Sequence, residues 1–489
     1  MVKISRRKIL KYTVGAGALL GGSFGAFKVY NKSSEVAVVH SKPLPIPPLL
    51  SGTKSDGQTV FNLSMQKGVS QFVVGKETAT YGYNGTYLGP ALVMNKGDDV
   101  VINVTNNLGE STTTHWHGLH LPARMDGGPY SVIENGDTWT AQFKIMNEAS
   151  TYFYHPHLLH NTAEQVYRGL AGLFIIRDPG NEPDLPNQYG VDDIPLVVQD
   201  RSFNTDGSLR FSGEIEGVKG DKVLVNGGIT PIFEAPAQFV RFRVLNVSNA
   251  RIYNFGFSDN RKFYQVGTDG GSLESPVPLT KLLLAPAERA EILVDFSGQE
   301  NQEVRLVSYS GEVASLSPFW MPDAQDNKTF DVLTINVKPA TENAITTMPD
   351  RLSTIIPLQE SQANVTRKLS LEFSIIGFKM TINGQSMDMN RIDQTVQLGD
   401  TEIWEFTNPS GMVHPFHIHD IQFQILSRNG ELPPENERGW KDTVLVKQDE
   451  TVRIIAKFDD FADPDIAYMY HCHILGHEDS GMMGQFLVV

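Results

Sequence analysis

The chain is short of cysteine, of positive charge, of long apolar runs and of helical periodicity, and each shortage removes a class of protein. A single cysteine, Cys472, in 489 residues excludes an intramolecular disulfide framework, so the fold must be held by its cores and by any metal it carries. Lys and Arg number 41 against 56 Asp and Glu, a formal net charge of −15. That balance leaves no basic field to attract phosphate and argues against a nucleic-acid or anionic-membrane partner. Past the N-terminus, no stretch reaches the roughly 18 consecutive apolar residues that a membrane-spanning helix needs. At this length one core is too small a frame, and about two to four domains are expected.

The N-terminus carries Ser5, Arg6, Arg7, Lys8, Ile9, Leu10 and Lys11, a twin-arginine pattern, followed by the apolar, small-residue run TVGAGALLGGSFGAF. It reads as an export signal; a short N-terminal anchor is the alternative, because no clean A-x-A cleavage site follows. Both readings place the bulk of the chain outside the cytoplasm, in the periplasm. Beyond it, short runs rich in Val, Ile, Phe and Thr alternate with Gly, Pro, Asn and Asp, the pattern of an all-β protein. An internal repeat sharpens this. GDDVVINVTNN (Gly97 to Asn107) leads to HWHG, and STYFYHPHLL is followed by GLAGLFII. Near the other end GDTEIWEFTNP (Gly399 to Pro409) leads to HPFHIH, and IAYMYHCHIL is followed by GMMGQFLVV. Two copies of one β-unit therefore flank a middle stretch, Asn161 to Val413, that contains no histidine and is expected to be structural or a spacer. The expected divisions are 1–40 for signal and linker, then 41–178, 179–338 and 339–489.

Eight of the 13 histidines fall in four H-x-H pairs: His115/His117, His155/His157, His417/His419 and His471/His473. Residues i and i+2 of a strand face the same way, so each pair can aim two imidazoles at one point. Four convergent pairs are too many for one ion and suit a cluster; imidazole accepts copper, zinc, iron or nickel. In the strand around Cys472 the thiol points away from His471 and His473, toward a separate site. His477 and Met482 follow on a loop that can fold back, and His414 is the histidine of HPFHIH left outside the pair. Cys, two His and a weak axial Met form the blue-copper electron-transfer set. Cys472 is bonded through the backbone to His471 and His473, so the two sites share a short covalent route.

HWHG, HPH, HPFHIH and HCHILGHEDSGMM together resemble the four copper signatures of the multicopper oxidases, the family of laccases, bilirubin oxidases and bacterial copper-efflux oxidases. INGQSMDMN, GWKDTV and HCHILGHEDSGMM resemble most the periplasmic copper-efflux group. The resemblance implies three cupredoxin-like, Greek-key β-sandwich domains in tandem and four copper ions. The type 1 copper would be held by His414, Cys472, His477 and Met482, and the type 2 copper by His115 and His417. The type 3 pair would take His117, His155, His157, His419, His471 and His473, leaving His40, His120 and His160 over. In such enzymes electrons taken singly at the type 1 site reduce dioxygen to water at the trinuclear cluster, and Asp126 and Glu478 resemble the family carboxylates that relay protons there. Monomer is the family-like expectation, and copper homeostasis the corresponding role.

Two departures bear on the electron donor. Copper-efflux oxidases typically carry a methionine-rich insert over the type 1 site, whereas Gly311 to Asp400 holds five scattered methionines. An acidic residue usual four positions before the type 1 histidine is here Ser410, although Met412 keeps a thioether. An open type 1 edge favours phenolic or aromatic donors slightly over Cu(I). A copper nitrite reductase is disfavoured, since it uses fewer histidines on a two-domain chain. The reading from another class is a noncatalytic periplasmic copper-binding protein on the same scaffold.

Overall fold

Asp99–Asn107 shows how the sequence makes its strands: Val100, Ile102, Val104 and Asn106 are buried, while the residues between them stay partly open to solvent. Alternation of this kind builds a sheet with one face in a core. The computed structural model describes residues 36–39, 42–212, 216–313, 327–374 and 379–489. The twin-arginine stretch and His40 lie outside these residues. Among the described residues no helix is long and apolar enough to cross a membrane.

Among the described residues six sheets pack in three pairs. The first pair sets Gln58–Ser70, Asp99–Asn107 and Thr138–Lys144 over a sheet made of Leu49–Leu50, Ala91–Asn95, Gly172–Arg177, Ser150–His155 and His115–His117. Phe61, Leu63, Ile102, Trp116, Tyr154 and Phe174 fill the space between them. The middle pair joins a seven-stranded sheet, which contains Asp193–Arg201, Phe239–Asn246 and Arg289–Asp295, to a five-stranded one. The last pair sets Val365–Ser374, Thr401–Thr407 and Thr451–Lys457 against Gln394–Val396, Met483–Val488, Asp463–Cys472, His414–Ile418 and Thr443–Val446. Trp404, Phe406, Phe416, Tyr470 and Phe486 form its core. The all-β expectation of sandwiches in tandem is met.

The sandwiches are packed on one another by a further apolar cluster, in which Phe153 and Leu173 of the first meet Val197, Leu245 and Ala287 of the middle one, with Leu475 from the third. Each H-x-H pair therefore sits on or beside a strand held from both sides. Helices are few and short, and one of them, Thr162–Arg168, ends at Gly169 with φ of +125°. A Cβ there would stand 2.6 Å from the Tyr81 carbonyl oxygen, so the position requires glycine.

Candidate metal centre

The strand pair at the heart of the site separates two sets of ligand-type side chains. His414–Ile418 runs antiparallel to Asp463–Cys472 with Phe416 opposite Cys472 and His417 opposite His471. Directly opposed residues point to the same face, and alternation sends the next pair to the other face. Cys472 and Phe416 thus turn into the core of the third sandwich, and His417 and His471 turn away from it.

On the core side, Cys472 Sγ lies 3.4 Å from His414 Nδ1 and 3.6 Å from His477 Nδ1. Met482 is fully buried and is tied to both neighbours: its N–H donates to the His477 carbonyl (2.9 Å) and its carbonyl accepts from Cys472 N–H (3.1 Å). The Ile474 N–H also points at Sγ, at 3.4 Å. Burial raises the Cys472 thiol well above its ordinary value, so its thiolate depends on a bound cation. On its far side His414 Nε2 meets Ser410 Oγ at 2.7 Å, and that hydroxyl donates to Asn408 Oδ1 at 2.7 Å.

On the other side eight imidazoles converge: His115, His117, His155, His157, His417, His419, His471 and His473, each 4% exposed or less. His471 Nε2 stands 3.0 Å from His157 Nε2 and 3.2 Å from His419 Nε2. His117 Nδ1 stands 3.4 Å from His155 Nε2. Across the two outer sandwiches the rings of His115 and His419 stack at 3.9 Å and those of His117 and His417 at 3.7 Å. Ligand atoms fall within 4.8 Å of one another in the trios His115, His417, His419; His115, His117, His155; His157, His419, His471; and His414, Cys472, His477.

This arrangement fits a metal cluster. Buried polar atoms are normally paired, yet the Nε2 atoms of His115 and His417 and both ring nitrogens of His473 are buried without a hydrogen-bond partner. Burial also holds His117, His155, His417 and His419 well below the ordinary imidazole value. His157 and His473 fall to about 3 for the same first reason. Neutral rings with free lone pairs are the state a cation requires.

Carboxylates hold the outer nitrogens, as is usual for ligating histidines. Asp126 Oδ2 accepts from His419 Nδ1 at 2.7 Å, and its carbonyl accepts from His115 Nδ1 at 2.9 Å. Glu478 lies 3.5 Å from His157 Nδ1 and 3.3 Å from His471 Nδ1. Burial alone would raise Glu478, but electrostatic attraction to the His157 and His471 rings outweighs it and keeps the carboxyl below its usual range. His120 and His160 stand outside the cluster, bonded to Asp420 and to the Asp479 carbonyl.

Three residues at the site were not assigned from sequence. Asp442 accepts from His117 Nε2 at 3.1 Å through Oδ1 and from His417 Nδ1 at 2.8 Å through its carbonyl. Arg289, from the middle sandwich, grips Asp442 with two bonds of 2.7 and 2.6 Å, so that sandwich reaches the site through a side chain. Ser410 contacts His414 directly. Asp442 lies within GWKDTV, a phrase that carries family resemblance; for Arg289 the sequence holds no signal.

Three sandwiches with a histidine cluster beside a Cys–His site make a fold of cupredoxin-like build whose side chains fit metal ions. Comparison with known proteins narrows this. Residues 64–181 and 354–489 match two family models, both described as multicopper oxidase. The chain is 38% identical over 449 residues to multicopper oxidase mco of Staphylococcus haemolyticus, covering 90% of this chain and 91% of that one. It is 34% identical over 454 residues to the cell division protein FtsP of Shigella dysenteriae, covering 92% and 94%. Among solved structures, the laccase-like multicopper oxidase CueO of Ochrobactrum sp., described as having oxidase activity towards lignin model compounds and lignosulfonate, superposes with a TM-score of 0.83. It shares 39% identity and is matched over 91% of this chain and 100% of that one. The chain belongs to the multicopper oxidase family, and the family implies copper, dioxygen and an electron donor.

Proposed function

We propose that the protein is a four-copper oxidase that takes single electrons from phenolic or aromatic donors, or from metal ions such as Cu(I), and passes them to dioxygen. The observation that carries the reading is the pairing of two buried ligand sets on opposite faces of one strand, with Cys472 on one face and His471 on the other. Copper held there supplies one-electron exchange with the donor at one site and reduction of dioxygen to water at the other. His414, Cys472, His477 and Met482 are assigned to type 1; His115 and His417 to type 2; His117, His155, His157, His419, His471 and His473 to type 3.

The protein's own groups do the rest. Cys472 adjoins His471 and His473 through single peptide bonds, so the donor side and the oxygen side share a continuous covalent bridge. Asp126, at His419 Nδ1 and close to His115, and Glu478, between His157 and His471, are placed to hold and release protons for the reduction, a role for which carboxylates beside a cation are suited. Burial of all eight cluster rings excludes bulk water. The working location is the periplasm, reached by the twin-arginine route, and the working form is a monomer divided near Asp178 and Lys338.

Donor class is tested by following oxidation of a phenolic substrate and of Cu(I) in parallel by the copper-loaded chain. Faster turnover of the phenol is expected, because Ser410 puts a neutral hydroxyl at His414 where a carboxylate would favour a cation. Oxidation of Cu(I) alone would reverse that order. A second reading, a noncatalytic copper-binding protein on the same scaffold, draws support from the likeness to a cell division protein and predicts bound copper with no dioxygen uptake.

A further inference from the structure

We infer that Arg289, on the histidine-free middle sandwich, is a positioning residue for the trinuclear cluster and acts through Asp442. The inference rests on the assignment of His117 and His417 as cluster ligands. Asp442 directly precedes Thr443–Val446, the strand paired with His414–Ile418, and is fully buried. It fixes two rings from opposite sandwiches. With its Nε2–H given to Asp442 Oδ1 at 3.1 Å, His117 keeps its Nδ1 lone pair for the side where His155 stands. With its Nδ1–H given to the Asp442 carbonyl at 2.8 Å, His417 leaves Nε2 free, and Nε2 is the atom buried without a partner. Asp442 therefore sets which nitrogen each ring presents.

A buried carboxylate holds this role only while its charge is compensated. Arg289, itself fully buried, supplies the compensation as a fork, Nη1 to Oδ1 at 2.7 Å and Nη2 to Oδ2 at 2.6 Å, the geometry that fixes direction as well as charge. Arg289 is in turn held by the carbonyls of Asp269 (2.7 Å), Ala287 (3.2 Å) and Thr151 (3.2 Å), so the orientation of the cluster rings is set by the frame of the middle sandwich and its contact with the first. Beside it, Lys441 pairs with Asp269 at 2.8 Å and Glu288 at 3.2 Å, which anchors the residue before Asp442 to the same sandwich. Gly118, the glycine of HWHG, has φ of +83°, and a Cβ on it would lie 2.8 Å from Arg289 Nη2 and clash with Asp442. The glycine thus makes room for the pair.

The ligand-type atoms of His117, His417 and Asp442 also lie within 4.8 Å of one another. Asp442 is nevertheless a poor direct ligand, because Arg289, His117 and Thr443 already use Oδ1 and Arg289 uses Oδ2. Its carboxylate faces an arginine, and the rings face the cluster.

The test compares copper-loaded wild type with Arg289→Met, Arg289→Lys and Asp442→Asn, reading copper per chain, the type 2 paramagnetic resonance signal and the thiolate-to-copper absorption of Cys472. Arg289→Lys keeps the charge and loses the fork, so it and Asp442→Asn carry the test if Arg289→Met does not fold. The expected result is a fall of roughly 10–100-fold in copper affinity at the cluster and a changed or lost type 2 signal, with the Cys472 band retained. Full cluster copper and an unaltered type 2 signal in folded variants would overturn the inference, as would parallel loss of all four coppers, which marks a general structural role. A wild-type chain that takes up no cluster copper would instead refute the proposed function.

Discussion

Asp126 touches both outer sandwiches with one side chain: it belongs to the first, lies close to His115 of the first, and accepts from His419 of the third. A group so placed can couple proton delivery to the proposed dioxygen reduction without touching the proposed type 1 site, which faces the other side of the Cys472 strand. Asp126→Asn is therefore expected to slow steady-state turnover by on the order of 10²-fold, the lower end for loss of a general acid. Anaerobic reduction of the blue chromophore by donor should stay near the wild-type rate. Rapid-mixing absorbance separates the two, and unchanged steady-state turnover would remove the proton role. The grouping of the histidines and Cys472 is legible residue by residue, because H-x-H pairs and a lone cysteine between two histidines are local patterns, whereas Asp126 enters only through the family resemblance. The Ser410 position was legible only as a departure from the family, and its bond to His414 needed coordinates.

Single strands carry the division of labour. Period-two alternation, readable in AYMYHCHIL, already puts Cys472 and its flanking histidines on opposite faces; the register of His414–Ile418 against Asp463–Cys472 then gives each face its partners. What alternation does not give is how segments from different sandwiches meet. His120, just past the HWHG strand, donates to Asp420 Oδ1 at 2.8 Å and lies 3.4 Å from Asp460 Oδ2, both beyond position 400. Burial lowers its basicity, but the two carboxylates outweigh it and lift His120 to about 9. Because the folded value exceeds the unfolded one of about 6.5, the contribution of this contact is complete below pH ~6.5 and is lost as the pH rises through about 9. Burial raises Asp420 as well, so the charged pair weakens from the acid side. His120→Phe should lower the thermal midpoint of unfolding relative to wild type at pH ~6.5, with the gap closing by pH ~10. A gap of constant size across that range would mean that packing, and not charge, joins these segments.

The described residues from Val38 to Val489 form one compact unit, and its middle third illustrates what a sequence conceals. Arg289 and Asp442 are 153 positions apart, and no periodicity or spacing links them. The absence of histidine there does not reveal that the region reaches the histidine cluster through an arginine. The same scale holds the choice between an oxidase and a noncatalytic copper-binding protein; relatives include oxidases and a protein named for cell division. Both uses accommodate bound copper; only one consumes oxygen. The most direct measurement is dioxygen uptake by the copper-loaded protein supplied with a phenolic donor or Cu(I), with Cys472→Ser as the comparison. The account predicts uptake by wild type and none by Cys472→Ser, whose blue colour should vanish while most cluster copper stays bound. Absence of uptake by a fully loaded wild type, or uptake undiminished without Cys472, would contradict it.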